Sequence, residues 1–175
     1  MRNADGFDEC YRSTSRRLLS YAYALTGDWA HAQDLVQEAY LKAWRQWSRL
    51  AEYEDVEAWL RLVVSRLATD AWRRLARWRK VLRLSHPLEH TIDGPSEQTV
   101  LLTRALAALP HGQRQAIAMH YLMDLSVNRI AEELGTSPNT IKSWLSRGRA
   151  ALANALTDKP DNPMIAISSL GCDLP

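Results

Sequence analysis

Apolar positions along the chain recur at helical rather than alternating intervals. Val36, Tyr40, Ala43 and Trp47 follow one another at steps of four, three and four residues, which puts them on one stripe of a helix. Leu60, Val63, Val64, Leu67 and Ala71 form a second stripe, and Leu102, Ala105, Leu106 and Leu109 a third, broken by Pro110. Another helix is predicted around Ala116 to Tyr121. No window shows the strict alternation that a half-buried strand requires. Across residues 85–97 the periodicity vanishes and two prolines and a glycine enter, so this stretch reads as a linker. The predicted fold class is all-α, with two small helical domains joined by a flexible linker. The expected boundaries are 5–80, a linker 81–97, a second domain 98–157 and a tail 158–175. That tail carries Pro160, Pro163 and Pro175 and is expected to be a disordered end rather than a regulatory or degradation signal.

Charge sharpens this picture. Lys plus Arg total 22 against 20 Asp plus Glu, so the net charge is only +2 and a chain basic throughout is excluded. The charges are unevenly placed, however. Residues 72–83 hold Arg73, Arg74, Arg77, Arg79, Lys80 and Arg83 with no acid, whereas Glu52, Glu54, Asp55 and Glu57 crowd 49–57 against Arg49. Asn139 to Thr157 is again basic, with Lys142, Arg147 and Arg149 and no acid. Such local surfaces suit a polyanion. The longest charge-free run, Asn162 to Cys172, is eleven residues, short of the roughly 20 apolar residues of a membrane span. The charged first turns fit no apolar secretory signal. Cys10 and Cys172 supply neither a disulfide framework nor a zinc spacing, and a cytoplasmic setting without metal or other cofactor is expected.

The segment Val127 to Arg149 reads as a helix-turn-helix. Ala131 is small where two helices would cross closely, and Gly135 permits the positive φ of a tight inter-helix turn. Ser137 is a good N-cap, and Pro138 suits a first helical position. Ile141, Leu145, Gly148 and Leu152 then make the inward stripe. Asn139, Thr140, Lys142, Ser143, Ser146, Arg147 and Arg149 are left outward or flanking, as in a helix that enters a major groove. The plainer reading is a helical hairpin with a solvated basic face.

Six of the seven tryptophans precede residue 80. Trp44 and Trp59 sit among apolar stripes and are read as core. Trp72 and Trp78 are interleaved with arginines, a combination that suits unstacked bases and a single-strand backbone, although a solvated helix end would look similar. Asp34, Gln37, Glu38 and Leu41 recur at three- or four-residue steps and form a mildly acidic ridge. A docking face for a protein partner explains it better than a catalytic carboxylate pair. The histidines His31, His86, His90, His111 and His120 are scattered, with no nucleophile elbow, phosphate-cradling loop or metal motif, so no catalytic residue is expected and an enzyme is rejected.

The string Ala24 to Trp44 (Ala-Leu-Thr-Gly-Asp-Trp-Ala-His-Ala-Gln-Asp-Leu-Val-Gln-Glu-Ala-Tyr-Leu-Lys-Ala-Trp), with Glu57-Ala-Trp-Leu and the helix-turn-helix, closely resembles a bacterial extracytoplasmic-function (ECF) sigma factor of the sigma-70 family. The Leu-Thr-Gly-Asp phrase is most similar to the SigE-like actinobacterial branch. The resemblance covers roughly residues 7–157. It implies that 5–80 is sigma region 2, binding core RNA polymerase and melting the minus-ten element, and that 98–157 is region 4, reading the minus-thirty-five element.

In such proteins the helix holding Asp34, Gln37, Glu38 and Leu41 docks on the β′ clamp helices. A loop at about Ser48 to Asp55 captures a flipped base, and the helix after it supports melted and duplex DNA. The implied minus-ten contacts are Arg49, Tyr53, Arg61, Arg66, Trp72, Arg73, Arg74 and Arg77. Region 4 would sit on the β flap and use Asn139, Thr140, Lys142, Ser143, Ser146, Arg147 and Arg149. The resemblance also admits an anti-sigma factor clamping the same helical faces. Trp144 stands where the family often has an arginine and either stacks on sugar or packs inward; Thr136 stands where valine is usual. The reading is therefore promoter-specific initiation, with a stand-alone helix-turn-helix regulator as the alternative.

Overall fold

The computed structural model describes residues 4–82 and 96–157, without the side chains of residues 72 and 74–82. Among the described residues eight helices follow one another: α1 (Ala4–Thr26), α2 (Trp29–Arg45), α3 (Trp47–Leu50), α4 (Val56–Leu82), α5 (Glu97–Ala107), α6 (His111–Tyr121), α7 (Val127–Leu134) and α8 (Pro138–Thr157). No strand occurs among the described residues, in agreement with the missing alternation. The core of the predicted linker and the predicted disordered tail lie outside the described residues.

Local chemistry sets most of the boundaries. Gly27 takes the positive φ of 74° that ends α1, and the Asp28 carboxylate then accepts from the His31 amide at 2.6 Å to start α2. Asp55 accepts from the Ala58 amide at 2.7 Å at the head of α4. Ser96 and Ser126 cap α5 and α7 in the same way. The predicted stripe Val36, Tyr40, Ala43 and Trp47 is buried throughout, although Gln46 interrupts the helix so that Trp47 opens α3. What was expected as a loop from Ser48 therefore begins with a helical turn. Phe7 meets Trp44 and Trp47 edge-on, with ring centroids 5.0 and 5.2 Å away. Trp44 and Trp59 are half-buried against the core.

The two predicted domains share one apolar core among the described residues. Tyr21 to Leu25 are all buried, and a helix buried on every side needs neighbours on every side. α1 has them: α2 and α4 on one flank, α5 and α6 on the other. α6 is enclosed likewise from Arg114 to Met119, packing on α1, α7 and α8. One apolar core thus runs from Leu18 through Leu106 and Ile117 to Leu152.

Candidate nucleic-acid interface

The helix-turn-helix is built as its residues require. Gly135 adopts φ 61° behind α7, and the Thr136 amide donates back to the Ala131 carbonyl at 2.9 Å. The Ser137 hydroxyl accepts from the Thr140 amide at 3.1 Å and caps α8. Ile141, Leu145, Gly148 and Leu152 face inward. A Cβ on Gly148 would lie 3.0 Å from Ile117 Cγ1, so α8 rests directly on α6. Of the seven predicted contact residues, Asn139, Lys142, Ser146, Arg147 and Arg149 are exposed, whereas Thr140 and Ser143 are half-buried. The Thr140 hydroxyl is within 2.9 Å of the Ser137 hydroxyl. Arg149 stands apart, 3.5 Å from the Tyr121 hydroxyl, on an apolar groove shared with Tyr23, Trp29 and Leu102. Trp144 packs inward, its ring against Gly112, where an added Cβ would come within 2.8 Å.

On α2, Asp34, Gln37, Glu38 and Leu41 all point to solvent. Leu41 is 58% exposed beside exposed Tyr11, an apolar spot within an acidic ridge. Glu38 pairs with Lys42 at 2.8 Å, a surface contact worth only a few tenths of a kcal/mol. Neither Asp34 nor Glu38 caps a helix, since Asp28 does that for α2.

The predicted minus-ten residues divide sharply. Arg49, Tyr53, Arg66 and Arg73 are exposed. The side chains of Trp72, Arg74 and Arg77, like that of Trp78, lie outside the described residues. Arg61 departs from the expected exposed position: it is 2% exposed, covered by α7. Its Nη2 donates to Glu133 at 2.7 Å and its Nε to the other carboxylate oxygen at 3.3 Å, a two-pronged fork. Asp55 and Glu57 stand 3.5 and 3.8 Å away. Arg129 of α7 closes the cluster, donating to Asp55 at 3.0 Å and to Glu133 at 3.3 Å. Burial pulls the Arg61 pKa down, but its bond to Glu133 and the surrounding carboxylates outweigh this and hold it above its ordinary value.

Comparison with known proteins bears on this arrangement. Residues 10–79 match the family described as Sigma-70 region 2, and residues 99–152 that described as Sigma-70, region 4. The ECF RNA polymerase sigma factor SigL of Mycobacterium tuberculosis is 34% identical over 148 residues, spanning 81% of this chain and 83% of its own. The chain belongs to the ECF sigma factors. RNA polymerase sigma-E factor of Streptomyces coelicolor is 31% identical over 153 residues, covering 86% of this sigma factor and 85% of its own chain. Sigma factor RpoE of Bartonella quintana, solved in complex with the anti-sigma factor NepR, shares the fold at a TM-score of 0.71 and 24% identity, over 87% of this chain and 98% of that one.

The region 2 match falls within α1–α4 and the region 4 match within α5–α8, and the two sets of helices are called region 2 and region 4. Several residues that join them escaped the sequence reading. Arg114 of region 4 donates to the Leu25 carbonyl of region 2 at 2.9 Å and to the Ala107 and Leu109 carbonyls at 2.7 and 3.1 Å. It satisfies orphan carbonyls at two helix ends at once. Arg17 reaches the Met123 carbonyl from the other side. Tyr21, hydrogen-bonded to Ser65 at 2.7 Å and to Gln115, is pushed up to about 12, chiefly by burial. Helical periodicity could not flag these residues, because it marks apolar stripes and does not say which polar residue meets a partner on a distant helix. The run Leu18 to Leu25, apolar on every face save Ser20, was the one available signal.

Proposed function

We propose that this sigma factor uses α2 to dock on the β′ clamp helices of core RNA polymerase, region 2 to hold the minus-ten element and α8 to read the minus-thirty-five element. The observation that carries the proposal is the reading face of α8. Lys142, Ser146 and Arg147 reach solvent from a helix capped by Ser137 and braced from behind by Ile117. A helix fixed in this way can enter a major groove without losing further order. The exposed ridge from Asp34 to Leu41 supplies a second contact surface on the opposite lobe, with an apolar residue at its end.

Opening DNA costs a few kcal/mol per extruded base. Polymerase binding and the basic face of α4 offset that cost together, while polymerase performs the chemistry. The Bartonella relative was crystallised with an anti-sigma factor, and a repressor of that kind fits this chain's exposed helical faces as well. Permanganate footprinting tests the proposal: unpaired thymines are expected with chain plus core polymerase and with neither alone. Reversing charge at Asp34 and Glu38 together should abolish them while circular dichroism stays unchanged. Protection without unpaired thymines would favour a stand-alone regulator of duplex DNA.

A further inference from the structure

Among the described residues the two buried charged side chains, Arg61 and Arg114, both lie on the seam between regions 2 and 4. We propose that Glu133 occupies the place of a DNA phosphate on Arg61, so that region 4 latches the α4 face of region 2 shut until a nucleic acid displaces it. The inference rests on the promoter reading above.

Three observations converge on it. First, a guanidinium fork binds a carboxylate and a phosphate with the same paired geometry. Glu133 takes both prongs of Arg61, and Glu132 beside it is exposed. Second, the cover comes from α7, the helix that precedes the reading helix, so uncovering Arg61 moves the whole helix-turn-helix. The same movement would free Ser65, which lines the cleft under Glu133 and Leu134.

Third, the seam is incompletely satisfied. Of the three buried side-chain polar atoms without a hydrogen bond among the described residues, Arg114 Nε lies on it and Glu57 Oε1 beside it, next to Arg17 and within the same carboxylate as the oxygen facing Arg61. Glu57 Oε1 has only Arg17 nearby, at 3.9 Å. A permanent interface normally pairs such atoms. Groups left short of partners when closed regain water on opening, which favours an interface that can part. The cluster is also ionic, Arg61 and Arg129 facing Asp55, Glu57 and Glu133, so salt weakens it more than it weakens an apolar contact.

The test uses the full chain with Cys10→Ser and Cys172→Ser and spin labels at two exposed positions, Ser48→Cys in region 2 and Ala150→Cys in region 4. The parent should show one short distance. Glu133→Arg should add a longer one, Glu133→Gln a smaller fraction of it, and Arg61→Glu combined with Glu133→Arg should restore the short distance. The double variant guards against misfolding, because a charge swap rescues a latch and does not rescue a damaged fold. A forked DNA fragment of mixed sequence, without polymerase, should bind Glu133→Arg at least threefold tighter than the parent and should gain nothing from the double variant. An unchanged distance in Glu133→Arg, or a double variant that stays open, would overturn the latch. Opening without tighter DNA binding would overturn the phosphate stand-in. Neither readout involves polymerase, so failure of the initiation reading shows separately, in the footprint.

Discussion

The basic face of α8 and Arg61 of α4 are held in opposite states. On α8 the bases look outward, and everything that positions them lies behind: Gly148 against Ile117, Trp144 against Gly112, Ser137 at the cap. On α4 Arg61, in the second turn, looks inward, and what positions it lies in front, on a helix from the other lobe. The first face is ready because its support is internal to region 4. Arg61 is withheld because its support is the other region, while Arg66 and Arg73 further along α4 stay exposed. Readiness in this molecule therefore depends on which lobe supplies the bracing, and the number of positive charges does not decide it.

Removing the brace between the lobes should blur the difference most. Arg114→Met leaves the Leu25, Ala107 and Leu109 carbonyls without their donor and should cost about 3 kcal/mol in urea unfolding, since bonds to a charged group are worth about 1.5–3 kcal/mol and orphaned buried acceptors add to the loss. A loss below about 1 kcal/mol would mean that water replaces the guanidinium. On the open face, Lys142→Ala or Arg147→Ala should leave urea unfolding unchanged. Either should weaken upstream-element binding by about 1–3 kcal/mol if bases are read and by less if only phosphate is touched. Equal losses on specific and scrambled duplexes would identify phosphate contacts.

The smallest effect concerns pH. Burial, then the charges of Arg114 and Arg73, hold His111 below its ordinary 6.5, where it meets Thr69 of α4 at 3.3 Å. A histidine lowered in the folded chain binds fewer protons than its unfolded counterpart. Its contribution is therefore complete above 6.5 and is lost as pH falls through 6.5 towards the lowered value. Thermal midpoints should decline over that window in the native chain, and the decline should be shallower in His111→Gln. Identical profiles would remove His111 from the seam.

The sequence was most legible where a single residue type answers a local demand. Gly135, Ser137 and Pro138 announced their turn because positive φ, an N-cap and a first helical position each admit few residues, and the inward stripe of α8 followed. The α2 ridge was legible for the related reason that one helix carries all of it. The seam was not. Arg61 lies seventy-two residues from Glu133 and Arg114 eighty-nine from Leu25, and local spacing carries no information about pairings at that range. Arg61 looked like one more base in a basic helix because the acid that claims it belongs to another lobe. Joining of the cores was hinted only by Tyr21 to Leu25, whose apolar residues leave no face for water.

Arg114 adds one more consequence. Its positive charge is balanced by carbonyl dipoles without a carboxylate, and a guanidinium keeps its proton in a protein. Neither partner in this joint can titrate. Acid can loosen the contact at His111 a few residues away while the pin beside it holds, so the two lobes would slacken at one corner before they come apart.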